Sequence, residues 1–172
     1  TTQQTERIKK DILKASEIQR SLQPEHKLRF YDYDVFGLCL SADFVGGDYF
    51  DYIKHSVDEE ERLNILVSDA ATHGLPAAAQ SLFLSGAIRM GSTFAPGISR
   101  FIGKLNNLIY EKFPFERFVT LVYCELTLSQ NRLVLFANAG HVPPIHYRPE
   151  TDTWQKLEST GGFLGLLENQ KF

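Results

Sequence analysis

Apolar residues recur along this chain in two rhythms, and the switches between them outline the elements. Residues 5–22 (TERIKKDILKASEIQRSL) place Ile8, Ala15, Ile18 and Leu22 on a seven-residue repeat, with Ile12 beside the seam. Lys9, Lys10, Lys14 and Arg20 fall away from it, so the segment is predicted as a helix closed at Pro24. Such a helix either packs on its own domain or ends a coiled-coil connector from an upstream sensor domain; Asp11 on the seam weighs against the second. The rhythm then drops to two. Residues 31–41 (YDYDVFGLCLS) alternate as a strand, 42–48 (ADFVGGD) form a loop, and 49–55 (YFDYIKH) and 62–69 (RLNILVSD) are strands joined at the solvated acidic run 58–61.

Gly74-Leu75-Pro76 opens a second helix, over 76–91, since proline is tolerated in a first turn. Its predicted inward stripe is Leu75, Ala78, Ala79, Leu82, Phe83, Ala87 and Met90. A third helix, 97–112, follows Pro96-Gly97 and buries Ile98, Phe101, Ile102, Leu105, Leu108 and Ile109. Alternation resumes in 118–128 and 131–139, a hairpin around Ser129-Gln130-Asn131, and in 143–148 and 153–157, a hairpin across PETDT. Strands, then helices, then strands favour an antiparallel α+β fold over a parallel doubly wound sheet.

Composition narrows the class. A length of 172 residues suits one domain with a real core, and 43% hydrophobic against 23% charged residues argues against disorder. The net charge of −3 disfavours binding to nucleic acid or to an anionic membrane. Cys39 and Cys124 lie in apolar alternating runs and read as small buried hydrophobes of a reducing compartment. No run approaches the ~20 apolar residues of a membrane span, and the charged start is unlike a signal peptide. A cytoplasmic domain is expected, with room for tethering upstream.

Two carboxylates stand out. Asp48 follows Val45-Gly46-Gly47, with Asp51 three residues on, and Asp69 ends the apolar run Leu66-Val67-Ser68. A carboxylate at the end of a hydrophobic strand is costly unless it is paired or holds a cation. Hard ions such as Mg²⁺ or Mn²⁺ accept carboxylates from two strands, and the glycines allow close backbone approach. The alternative is that Asp69 caps the next helix and Asp48 serves a turn. His73 and His141 have no ligand partner at i+4 and no Cys/His cluster, so zinc is not indicated. No nucleophile elbow, P-loop or dinucleotide glycine pattern is present.

Taken in order, Ile18-Gln19…Leu22…Pro24, Val45-Gly46-Gly47-Asp48-Tyr49-Phe50-Asp51, Ser68-Asp69…His73-Gly74-Leu75-Pro76-Ala77-Ala78, Phe118-Val119-Thr120-Leu121, Asn138-Ala139-Gly140-His141…Pro143-Pro144 and Gly162…Leu164-Gly165 resemble the protein phosphatase 2C-like (PPM) family. The branch is that of the sporulation stage II phosphatase and the stress sigma-factor regulators. The resemblance implies two packed antiparallel sheets flanked by helices (an α-β-β-α sandwich) with two Mn²⁺ or Mg²⁺ ions at one edge. Asp48 and Asp69 match the catalytic metal-binding aspartates, Asp69 bridging, with the Ala70 carbonyl as a further ligand. Gly47, Asp51, His73, Gly74, Asn138 and His141 are carried over as supporting residues. Thr72 departs from the family's glycine there, and a β-branched residue resists positive φ.

The resemblance also places a further Asp-Gly pair and a last aspartate beyond Phe172. It divides the chain into a connector (1–24) and a phosphatase domain lacking its C-terminal part (25–172), weakly active or inactive by itself. Two functions follow. One is hydrolysis of a phosphoserine or phosphothreonine protein, such as an anti-sigma-factor antagonist, with a homodimer through the first helix. The other is a non-catalytic phosphatase-fold module that binds a signalling partner.

Overall fold

The computed structural model describes residues 2–41, 43–94, 97–113, 118–127 and 133–172. Helix α1 (Thr2–Ser21) leads into strands β1 (Lys27–Phe30), β2 (Tyr33–Phe36), β3 (Tyr49–Val57) and β4 (Glu60–Ala70). Helices α2 (Gly74–Ser92) and α3 (Ile98–Lys112) follow, then β5 (Val119–Thr127), β6 (Val134–Ala139), β7 (Ile145–Arg148) and β8 (Thr153–Lys156). Strands β3 to β6 form one antiparallel sheet in chain order, while β1-β2 and β7-β8 are separate hairpins. Asp58 and Glu59, at φ 49° and 67°, make the two-residue β3–β4 turn, whose left-handed backbone suits the twist of a tight hairpin.

Alternation divides the sheet into two apolar faces. On one, Leu66, Leu121, Tyr123, Ala137 and Ala139 pack against Leu84, Ile88, Phe101, Ile102, Leu105 and Ile109 of α2 and α3. On the other, Leu63 and Leu126 pack against Phe30 of the β1-β2 hairpin, with Leu28, Tyr33, Val35, Tyr52, Ile65 and Cys124 around them. Two antiparallel sheets therefore lie face to face, and both central helices cover the same side, as expected. Asn106, fully buried on α3, pins the C-terminal tail by donating to the Leu167 carbonyl (2.9 Å) and accepting from the Gly165 amide (2.9 Å).

Several expectations need correction. The strand foreseen over 31–41 is instead the second half of the β1-β2 hairpin, which turns at Tyr31 (φ 51°). Regular pairing ends before Gly37, where a Cβ would lie 2.2 Å from the Tyr52 hydroxyl and 2.5 Å from the Phe50 ring. Helix α2 turns a different face inward from the one foreseen. It buries Ala77, Ala78, Ser81, Leu84, Ser85 and Ile88, leaving Leu75 51% and Met90 64% exposed. Apolar residues nearly encircle this helix, so hydrophobicity alone does not select the contact face, which buries Gln80 and several serines beside Leu84 and Ile88. Both cysteines are free and half-buried, and burial pushes the Cys124 thiol up to about 11. The Ser129-Gln130-Asn131 tip and Pro96 lie outside the described residues.

Helix α1 runs exposed from residues 2 to 11, and Ile8 (54%), Ile18 (57%) and Leu22 (43%) stay in solvent. It is held by a polar contact instead. The buried Gln19 amide donates to the Gly46 carbonyl (2.6 Å) and accepts from the Gly46 amide (3.2 Å).

Candidate functional site at the sheet edge

Strand register builds the site. Tyr49 pairs with Ser68, so Asp48, one step before β3, comes level with Asp69 near the end of β4. Gly47 is needed there: a Cβ would meet the Ala70 Cβ at 3.0 Å, the Ala70 carbonyl oxygen at 3.2 Å and the Ala77 Cβ at 3.2 Å. The two carboxylates and the Ala70 backbone thus share one corner. Partial burial, then the Asp48 charge, then a hydrogen bond with Asp48 raise the Asp69 carboxyl above the ordinary carboxylate range. No ion pair among the described residues involves Asp48 or Asp69. Nor do those residues hold a cluster of three or more His, Cys, Asp or Glu side chains able to bind a metal.

The neighbouring strand and loop complete the corner. Thr120 on β5 pairs with Asp69, and its hydroxyl lies 2.7 Å from His141 Nδ1 and 3.4 Å from the Asp69 carbonyl. Asn138, fully buried, clamps the His141 backbone at both ends, accepting from its amide (2.9 Å) and donating to its carbonyl (3.2 Å). Gly140 permits this turn with φ 67°, where any Cβ would strike the Phe163 ring at 2.2 Å. Burial lowers the His141 imidazole below its ordinary value, against the pull of the Asp48 charge. A cavity of about 470 Å³ opens beside the pair, lined by Leu38, Leu40, Asp48, Phe50, Val67 and His141 among others.

Of the residues foreseen, Asp48, Asp69, Ala70, Gly47 and His141 meet here, with Asn138 supporting His141. Asp51 does not. It is wholly buried on the helix-covered face, where it pairs with Arg89 (2.7 Å), accepts from the Tyr52 amide (2.8 Å) and binds the Tyr49 hydroxyl. An offset of three residues in a strand reverses the side-chain direction, so Asp48 and Asp51 cannot share a face. His73 is exposed at the α2 N-cap and makes no side-chain cap bond. The left-handed step of this loop falls on Gly74 (φ 68°), which lets Thr72 keep an ordinary backbone. Thr120, part of the Phe118–Leu121 motif, is not among the foreseen site residues; alternation along Val119–Thr127 places it beside Asp69 once the register is known.

A family model described as stage II sporulation protein E (SpoIIE) matches residues 59–172. The chain belongs to the SpoIIE family. Its similarity to other proteins extends further along the sequence. It is 26% identical over 167 residues to the phosphoserine phosphatase RsbU of Bacillus subtilis (strain 168), covering 96% of this chain and 48% of RsbU. The SpoIIE-family chain thus spans about half the length of that curated relative. Its fold is that of the SiaA-PP2C domain of Pseudomonas aeruginosa (TM-score 0.67, 17% identity, 100% of this chain and 68% of that one). Part of the structure of the RsbU and RsbW domains of Rv1364c from Mycobacterium tuberculosis is similar in fold too (TM-score 0.62, 24% identity, 77% of this chain and 36% of that one). No described helix of this SpoIIE-family chain is long and apolar enough to cross a membrane.

Proposed function

We infer that this chain carries part of the catalytic centre of a metal-dependent phosphatase that removes phosphate from serine or threonine of a cytoplasmic regulatory protein, such as an anti-sigma-factor antagonist. The observation that carries this reading is the Asp48–Asp69 pair: like charges on adjacent strand ends, with no basic partner among the described residues. Such a pair is unfavourable by itself and becomes favourable around a hard cation. The donor set of two carboxylates and a carbonyl fits Mg²⁺ or Mn²⁺ better than zinc. Ions of this kind, when bound, acidify water and neutralise phosphoryl charge. The chain's own part is positional: register sets the carboxylates level, Gly47 lets the Ala70 carbonyl close in, and Asn138 fixes the loop bearing His141.

Turnover of a phosphoserine protein by the intact protein, dependent on Mn²⁺ or Mg²⁺ and abolished by chelation, is expected. Turnover indifferent to chelation would overturn the reading. That only two carboxylates cluster among the described residues favours a second one, a phosphatase fold that binds its partner without hydrolysis; there the partner would bind and no phosphate would be released.

The exposed Ile8, Ile18 and Leu22 support a homodimer through α1, and the Gln19–Gly46 contact gives that helix a path to the loop bearing Asp48. Deleting residues 1–14 from the intact protein is expected to lower its mass in solution toward that of a monomer. Unchanged mass and unchanged regulation would remove the connector role.

A further inference from the structure

We propose that Thr120 is a positioning residue that holds His141 with its Nε2–H directed at the phosphoryl group, making His141 a substrate-binding donor. The proposal rests on the phosphatase reading of the site and adds to it a residue pair that acts on the phosphate.

The geometry begins with the backbone. His141 has both its amide and its carbonyl bound by the buried Asn138 side chain. Asn138 is itself tied into the sheet edge: its amide donates to Thr160 Oγ1 (2.9 Å) and its carbonyl accepts from the Thr160 amide (2.9 Å) and Ser159 Oγ (2.9 Å). The ring of a half-buried side chain on so fixed a loop has little freedom left, and the 2.7 Å contact with Thr120 removes most of what remains. The Thr120 hydroxyl has one proton, and we place it on the 2.7 Å contact with His141 Nδ1 rather than on the long 3.4 Å contact with the Asp69 carbonyl. A Thr120 proton on that bond makes Nδ1 the acceptor, so the ring hydrogen sits on Nε2.

The chemistry of the corner needs such a donor. Asp48, Asp69 and the Ala70 carbonyl are acceptors, suited to cations, whereas the phosphoryl oxygens that no ion binds require donors. Among the described residues no lysine or arginine lines the adjoining cavity, and His141 lies on its wall with Asp48. His141 Nε2–H would therefore bind the phosphoryl oxygens directly while the acidic pair faces the ions.

The test uses the intact protein with p-nitrophenyl phosphate, a substrate that needs no protein docking. Thr120→Val, nearly isosteric, is expected to raise KM roughly tenfold and to leave kcat within about twofold, as loss of one hydrogen bond to a charged group would. Thr120→Ser restores KM, and His141→Ala raises it as Thr120→Val does while Mn²⁺ affinity by calorimetry stays at the wild-type level. Nitrogen-15 spectra of the imidazole should show the Nε2–H tautomer in the wild type and a mixture in Thr120→Val. An unmoved KM in Thr120→Val, a dominant Nδ1–H tautomer, or lost Mn²⁺ affinity in His141→Ala each overturns the proposal. A wild-type protein that hydrolyses no phosphoester sinks the phosphatase reading instead, and the tautomer with inorganic phosphate bound then decides this one.

Discussion

Asp69→Asn in the intact protein is expected to cut turnover of a phosphoserine protein by roughly a thousandfold or more, and to raise the unfolding temperature of the ion-free protein. The two effects share one cause. Asp69 stands level with Asp48 without a counter-charge among the described residues, and its carboxyl is already driven toward the protonated form. The amide abolishes that repulsion, so the empty site becomes easier to fold. It also binds hard cations poorly, which removes water activation and charge neutralisation together, several kcal/mol of barrier. Rate assays across Mn²⁺ concentrations and thermal melts in chelator check both arms. Near-wild-type turnover would end the metal reading. A lower melting temperature without ions would show that Asp69 serves the fold.

How far this was legible in the sequence depends on the element. Once the acidic run 58–61 is read as a tight turn, pairing outward from residues 58 and 59 brings residue 48 level with residue 69. The convergence of the two carboxylates was thus written in the spacing. The same parity assigns Asp51 to the opposite face, although its place in the VGGD-x-x-D run had suggested the site. The inward face of α3 was legible because Ile98, Phe101, Ile102, Leu105 and Ile109 form one stripe among polar residues. That of α2 was not, because Leu75, Phe83 and Met90 compete with Leu84 and Ile88 around the helix. Thr120 and Gln19 stand within the motifs that carry the resemblance, but their roles were hidden for another reason: each acts through a hydrogen bond to a residue far along the chain, and no local pattern records it.

Arg89→Ala is expected to destabilise the protein by about 3 kcal/mol, the largest stability loss foreseen for a residue outside the core. Asp51 is completely buried beneath α2, and its counter-charge is the Arg89 guanidinium at 2.7 Å, whose side chain is itself 49% exposed. Removing Arg89 leaves a buried carboxylate with only the Tyr52 amide and the Tyr49 hydroxyl to hold it. The Tyr49 hydroxyl is kept firmly protonated by burial and by that same bond, so it donates but brings no positive charge. Water entering where Arg89 stood moderates the cost, which places it at the low end for a broken buried pair. Asp51→Asn, which removes the buried charge, should cost less, and the double variant should recover part of the Arg89→Ala loss. Urea unfolding of the four proteins measures the cycle, and simple additivity would mean that the pair does not couple. The loss should also reach the site. Asp51 lies three residues after Asp48 on the same chain segment, and α2 starts four residues beyond Ala70. Arg89 ties the far end of that helix back onto β3, so without it the strand and the loop that bring the two carboxylates level lose one brace beyond the strand pairing and the Leu84 and Ile88 packing.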